Sequence, residues 1–226
     1  EMGGSGNVVT GNSVFGGNNG ISTTYEYNKE LQLPFTYDAA ATSNSWSSGA
    51  NMITARRSLG GAGTQDAALA FGGGTSGATT CTEEYDGSSW TAGGALSIAL
   101  YELGAAGTQN AALAFSGFST STTSEEYNGT SWSPGGTMIT GRSRGQGTGT
   151  QNAALSIGGL TPSATAATEE YNGSSWASGG NLIAATYDQA ATGIQNAALS
   201  FGTQNGGTAT EEYNGTSWSA GGSLNC

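Results

Sequence analysis

Five tryptophans, Trp46, Trp90, Trp132, Trp176 and Trp218, divide the chain at intervals of 44, 42, 44 and 42 residues. The last four each end one phrase. It reads Glu83-Glu84-Tyr85-Asp86-Gly87-Ser88-Ser89-Trp90 in its first full copy and recurs from Glu125 to Trp132, Glu169 to Trp176 and Glu211 to Trp218. A period of this length restricts the chain to a repeat architecture, in which each unit buries its apolar face against a neighbouring copy. It also separates frame from site: positions fixed between copies belong to the scaffold, and positions that vary are candidates for function.

Within one period the residues spell four short antiparallel strands. Ile53 to Gly63 reads as a small-residue strand and Gly63-Thr64-Gln65-Asp66 as a turn. Ala67 to Phe71 is an apolar strand closed by Gly72-Gly73, and Thr80 to Tyr85 is a third strand. Asp86-Gly87 matches a two-residue type I′ hairpin, whose central positions need positive φ. A fourth strand holds Trp90. The apolar strand ends at Phe71, Phe115, Ile157 and Phe201, each 25 residues after a Trp. A further copy opens the chain at Asn12 to Gly17, followed by Thr24-Tyr25-Glu26-Tyr27-Asn28. Aligned by phase, the C-terminal piece from Trp218 to Cys226 supplies what the N-terminal copy lacks. The count predicts an all-β fold: one domain over residues 1–226, a single five-bladed propeller of four-stranded blades, with both termini closing one blade and no long sheet edge exposed. The start, Glu1-Met2-Gly3-Gly4, reads as that of a processed product or a piece of a longer chain.

The unit resembles the kelch repeat. The matching residues are Arg56 with Gly60-Gly61, the strand Leu69-Ala70-Phe71 with Gly72-Gly73, the stretch Glu83-Glu84-Tyr85-Asp86, and Trp90. The resemblance covers nearly the whole chain and implies a propeller, although kelch propellers more often have six or seven blades. The Gly/Ser/Thr-rich form also resembles kelch-like arrays predicted in bacteriophages and marine bacteria, often in tail or surface proteins. Copper oxidases with such propellers exist, but no His is present here to hold copper.

Composition narrows the function. Sixteen acidic and five basic residues give a net charge of −11, which argues against a nucleic-acid partner. No run approaches the ~18 apolar residues of a membrane span. Forty glycines would suit a disordered chain, but the fixed phase of the aromatic residues argues for packed elements. Two cysteines, Cys81 and Cys226, without His make neither a disulfide framework nor a zinc site. The sparse charge and Gly/Ser/Thr/Asn richness predict an extracellular or virion-surface protein, with no cofactor or metal.

The variable positions fall on two connections that share one propeller face. Ten to twelve residues after each of the first four Trp stand Arg56-Arg57-Ser58, Leu100-Tyr101-Glu102, Arg142-Ser143-Arg144 and Thr186-Tyr187-Asp188. The loops after the apolar strand differ as well, with Phe118, Leu160-Thr161-Pro162, Gln204 and Asn205. Arg, Tyr, acid and amide groups gathered there suit a polar ligand. The expected ligand face is therefore Arg56, Arg57, Tyr101, Glu102, Phe118, Arg142, Arg144, Tyr187, Asp188, Gln204 and Asn205. Its expected ligand is a glycan or cell-surface receptor, with other virion or surface-protein subunits as further partners. The Glu-Glu pairs occur in four repeats and sit on adjacent strand positions, so they are read as structural: one bonding a neighbouring blade, the other facing solvent. The fixed Trp and Tyr read as inter-blade core. Asn128, Asn172 and Asn214 match glycosylation acceptors, but the turn already accounts for them.

One insertion breaks the period: Tyr27 to Trp46 spans 19 residues against five elsewhere. The extra residues, about 29–42, carry Leu31, Leu33, Phe35 and Tyr37, which predict a docking contact. Three functions are thus weighed. The first is a non-enzymatic recognition module. The second is a structural or decoration protein docked through the 29–42 loop. The last, and weakest, is a hydrolase using Glu102 or Asp188.

Overall fold

Small residues decide how closely the strands pair. Gly60 stands opposite Phe71 in register, and a Cβ on Gly60 would lie 2.5 Å from the Phe71 ring. In the next repeat Gly107 takes φ 103°, outside the range a side chain tolerates, and leads into the turn at Gln109-Asn110. The computed structural model describes residues 12–16, 22–26, 48–119, 121–204 and 206–225. It comprises two compact units, Glu1–Ser48 and Gly49–Cys226.

The first unit contains an antiparallel hairpin, β1 (Asn12–Gly16) with β2 (Ser22–Glu26), in which Val14 is paired with Thr24. The insertion at about 29–42, with Leu31, Leu33, Phe35 and Tyr37, lies outside the described residues.

The second unit is built of four four-stranded antiparallel sheets. The first is β3 (Gly60–Thr64), β4 (Ala67–Phe71), β5 (Thr82–Tyr85) and β6 (Trp90–Ala92). The second is β7 (Gly104–Thr108), β8 (Ala111–Phe115), β9 (Ser124–Tyr127) and β10 (Trp132–Pro134). The third is β11 (Gln146–Thr150), β12 (Ala153–Ile157), β13 (Thr168–Tyr171) and β14 (Trp176–Ser178). The fourth is β15 (Ala190–Ile194), β16 (Ala197–Phe201), β17 (Thr210–Tyr213) and β18 (Trp218–Ala220). Each sheet is a meander in chain order, and the first strands β3, β7, β11 and β15 lie beside one another in succession.

One apolar layer fills each junction between sheets. Leu113 and Phe115 of the second sheet pack on Ala154, Tyr171 and Trp176 of the third, and Leu155 and Ile157 of the third pack on Ala198, Tyr213 and Trp218 of the fourth. Phe71 meets Trp132 at 4.8 Å and Phe115 meets Trp176 at 4.9 Å between ring centroids, a spacing that favours tilted rings. Three Trp indoles also donate across the junctions: Trp132 to Thr82 Oγ1 at 2.9 Å, Trp176 to Ser124 Oγ at 3.4 Å and Trp218 to Thr168 Oγ1 at 3.0 Å. The fixed glutamines tie the same junctions, as Gln109 Nε2 donates to the Tyr85 carbonyl at 2.6 Å and Gln151 Nε2 to that of Tyr127 at 2.7 Å.

The row of sheets does not close. The expected closed five-bladed ring is therefore corrected: among the described residues there are four four-stranded sheets and one two-stranded sheet. Burial marks the open end. Leu69, Phe71, Leu113, Phe115, Leu155 and Ile157 are at most 1% exposed, whereas their counterparts Leu199 and Phe201 in the fourth sheet are only half-buried, and Glu212 is exposed.

Three local expectations also change. The first strand starts at Gly60, not Ile53, because Ile53 and Thr54 turn their backbone N–H groups onto the Glu83 carboxylate at 2.7 and 3.2 Å. Glu83 is thus 2% exposed rather than facing solvent, as are Glu125 and Glu169. In the first three sheets the second Glu of the pair reaches the next sheet: Tyr171 donates its hydroxyl to Glu126 at 2.5 Å, Tyr213 donates to Glu170 at 2.5 Å, and Tyr127 donates to Glu84. Finally, Tyr85 pairs with Trp90 in register, so the loop spans the four residues 86–89 and is not a type I′ turn. Asp86 or Asn accepts the backbone N–H groups two and three residues on, as Asn172 does from Ser174 and Ser175 at 3.0 Å each, an Asx turn. At Asp86 the Ser88 hydroxyl, with the Ser88 and Ser89 N–H groups, holds the carboxyl down to about 2.

The junction tyrosines give the fold an alkaline limit. Burial first, then the bond to Glu84, pushes the Tyr127 hydroxyl up to about 12 from its ordinary 10.0. Burial and Glu170 do the same for Tyr213. Both groups must be protonated in the folded chain, so their stabilisation is complete below pH 10.0 and is lost as pH rises through about 12. Circular dichroism across that window should show cooperative unfolding. The Tyr127→Phe/Tyr213→Phe chain should show a shallower pH dependence there, and an unchanged slope would contradict the assignment.

Candidate functional site

In the first and third sheets the two variable connections are stitched together by backbone. Arg57 pairs with Gly74 and Gly74 with Ala78; Ser143 pairs with Leu160 and Leu160 with Ala164. Neighbouring repeats join in turn, Thr79 with Leu100 and Thr165 with Thr186. The two loops that differ most between copies therefore form one surface.

At its centre runs a ladder of four equivalent residues, Ser58, Glu102, Arg144 and Asp188. All four have left-handed backbones, with φ of 54°, 57°, 58° and 56°. Each bonds the one before it: Glu102 N–H to the Ser58 carbonyl at 2.9 Å, Arg144 to Glu102 at 2.9 Å, and Asp188 to Arg144 at 3.1 Å. Non-glycine residues seldom take this conformation, and they collect at ligand sites when the surrounding structure holds them there. Here the inter-sheet bonds hold them, and no two of the four side chains are alike.

These side chains, with Leu59, Leu103, Gly145 and Gln146, line a cavity of about 220 Å³. Arg144 and Asp188 meet across it in a fork, with Nε to Oδ1 at 2.9 Å and a second contact between Nη2 and Oδ2. Both side chains are more than a third exposed, so the pair is available to a ligand and adds little to stability. The Asp188 bond raises the Arg144 guanidinium further above its usual range. Arg144 also lies 4.8 Å above the Tyr187 ring centroid. Beside it, Tyr101 stacks on the exposed Phe118 at 4.6 Å. Arg57, Tyr101 and residues 74–77 line a second cavity of about 100 Å³.

Two of the expected ligand residues do not reach this surface. Arg56 is folded into the first sheet, its side chain 1% exposed and paired with Glu83 at 2.9 Å. Arg142 is 0% exposed; it pairs with Glu169 and donates to the carbonyls of Ala167 at 2.7 Å and Gly158 at 3.3 Å. Both belong to the scaffold. Their variation in sequence reflects different fillings of one interior position, taken by Leu100 in the second sheet. Gln204 lies apart from the ladder, accepting from Thr186 Oγ1 at 3.2 Å. Asn205 is outside the described residues. Ser58 and Gln146 were missed as cavity residues; for Ser58 the available signal was its shared phase with Glu102, Arg144 and Asp188.

Among the described residues no His/Cys/Asp/Glu group is placed to hold a metal ion, and no helix is long and apolar enough to cross a membrane. Cys81 is a free thiol that accepts a bond from Thr79 Oγ1 at 3.1 Å. No protein-family model matches the chain, and no curated protein matches it.

Proposed function

We propose that this chain is a non-enzymatic recognition module of propeller-like, kelch-type build that binds a glycan or surface protein through the variable face. The observation that carries this reading is the left-handed ladder: one backbone geometry kept in four copies, with four different polar side chains around one cavity. A fold that needed only a scaffold there would use Gly, which takes positive φ without strain. The forked Arg144–Asp188 pair offers planar donors and acceptors that match vicinal hydroxyls, and Tyr101 and Tyr187 offer ring faces. The cavity of about 220 Å³ is below the range of drug-sized pockets, which favours one sugar unit or a short side chain. The acidic, Gly/Ser/Thr-rich surface supports a place in a phage tail or fibre, or in a secreted surface protein.

A glycan array probed with the purified chain tests this. Binding should occur to a restricted glycan set and fall at least about tenfold in the Tyr101→Ala/Tyr187→Ala and Asp188→Ala chains, with thermal stability nearly unchanged. Array-wide silence, or equal binding by these variants, would sink the glycan reading.

A further inference from the structure

The same interior position is filled differently in each sheet, and in the fourth sheet it leaves space. In the third sheet the Arg142 guanidinium sits in a cage made by the Glu169 carboxylate and the carbonyls of Thr140, Gly158 and Ala167. In the first sheet Arg56 uses Glu83 and the Ala70 carbonyl at 3.1 Å. In the second, Leu100 fills the place with methyl groups and is 4% exposed. In the fourth, the residue at this phase is Thr186.

The cage itself is retained around Thr186. Ala184, Gly202, Ala209 and Glu211 occupy the phases of Thr140, Gly158, Ala167 and Glu169. Glu211 is oriented as Glu169 is, accepting from the backbone of Ile183 at 2.7 Å and Ala184 at 3.3 Å, where Glu169 accepts from Ile139 at 2.8 Å and Thr140 at 3.1 Å. Because threonine is shorter than arginine, a cavity of about 120 Å³ remains, lined by all four of these residues. Ala184 and Ala185 at its rim are exposed. Among the described residues the ion pairs involve Glu83, Glu169 and Asp188, and no cationic side chain is paired with Glu211.

The geometry points to a receptor site for one guanidinium group, supplied by an arginine side chain of a partner protein. A planar cation with five N–H donors matches a carboxylate flanked by carbonyls, whereas a lysine ammonium places only a point charge there. The chain demonstrates the fit with its own Arg142 and Arg56. This site is separate from the ladder cavity and does not depend on the glycan reading.

The test is a ¹H–¹⁵N titration of the whole chain with N-acetyl-arginine amide, N-acetyl-lysine amide and methylguanidinium, following the Ile183 and Ala184 amides that face Glu211. Arginine amide and methylguanidinium should both move the two signals saturably, with at least about tenfold tighter binding than lysine amide. Thr186→Arg, which supplies the guanidinium in cis, should abolish the response. Thr186→Leu should do the same by filling the space as Leu100 does, and serves if the arginine variant misfolds. No saturable shift, an undiminished response in Thr186→Leu, or equal binding of lysine amide would overturn the assignment.

Discussion

Replacing Arg142 by alanine should cost about 3–5 kcal/mol of folding stability, because it strands a buried carboxylate. Glu169 is 2% exposed and would keep only the N–H groups of Ile139 and Thr140. The carbonyls of Gly158 and Ala167, now bonded to Arg142, would lose a donor in the interior. Burial already lowers the Arg142 guanidinium, and Glu169 opposes that shift, so the two charges are retained only as a pair. The second sheet provides an internal control. There Leu100 and Glu125 hold the phases of Arg142 and Glu169, and Glu125 is 2% exposed and bonded by the backbone of Ser97 at 2.8 Å and Ile98 at 3.2 Å. Arg142→Leu should therefore be milder than Arg142→Ala, and Arg142→Leu/Glu169→Gln should recover most of the remaining loss. Urea unfolding measures all three. A loss under about 1 kcal/mol for Arg142→Ala would mean that the site rearranges or admits water.

The second large effect separates an open row from a ring. Phe115→Ala should cost about 3–5 kcal/mol, since the ring is 0% exposed and packed against Trp176. Phe201 occupies the same phase but is half-buried at the end of the row, so Phe201→Ala should cost only about 1–2 kcal/mol. In a closed ring the two positions would be equivalent. Equal losses in thermal or urea unfolding would restore closure, and the predicted gap would exclude it.

The repeat made most of this arrangement readable. Phe71 with Trp132 and Phe115 with Trp176 have fixed spacing because each pair plugs an equivalent junction, and the period exposes that directly. Closure was not readable in the same way. Counting phases from Phe15 showed that enough residues exist for a fifth unit, but a count carries no information on whether they form a sheet. Side-chain direction limited the site. Arg56 and Arg57 are neighbours with the same chemistry, yet one turns into the sheet and the other to the surface. Variation alone marked Arg142 and Arg144 equally, although only Arg144 lies on the ladder. Asp86-Gly87 suits a two-residue turn, but the Asp86 carboxylate accepts the backbone N–H groups two and three residues on, an option that the dipeptide alone does not reveal.

The ladder of Ser58, Glu102, Arg144 and Asp188 also sets an alphabet. Its backbone bonds run through N–H and carbonyl groups that every residue but proline possesses, so each rung can be rewritten without disturbing the next. The positive φ at each rung restricts the choice: Asn, Asp and Gly enter freely, long polar residues at modest strain, and Val or Ile hardly at all. Specificity on this surface can therefore change one side chain per repeat, within a vocabulary that is polar by geometry.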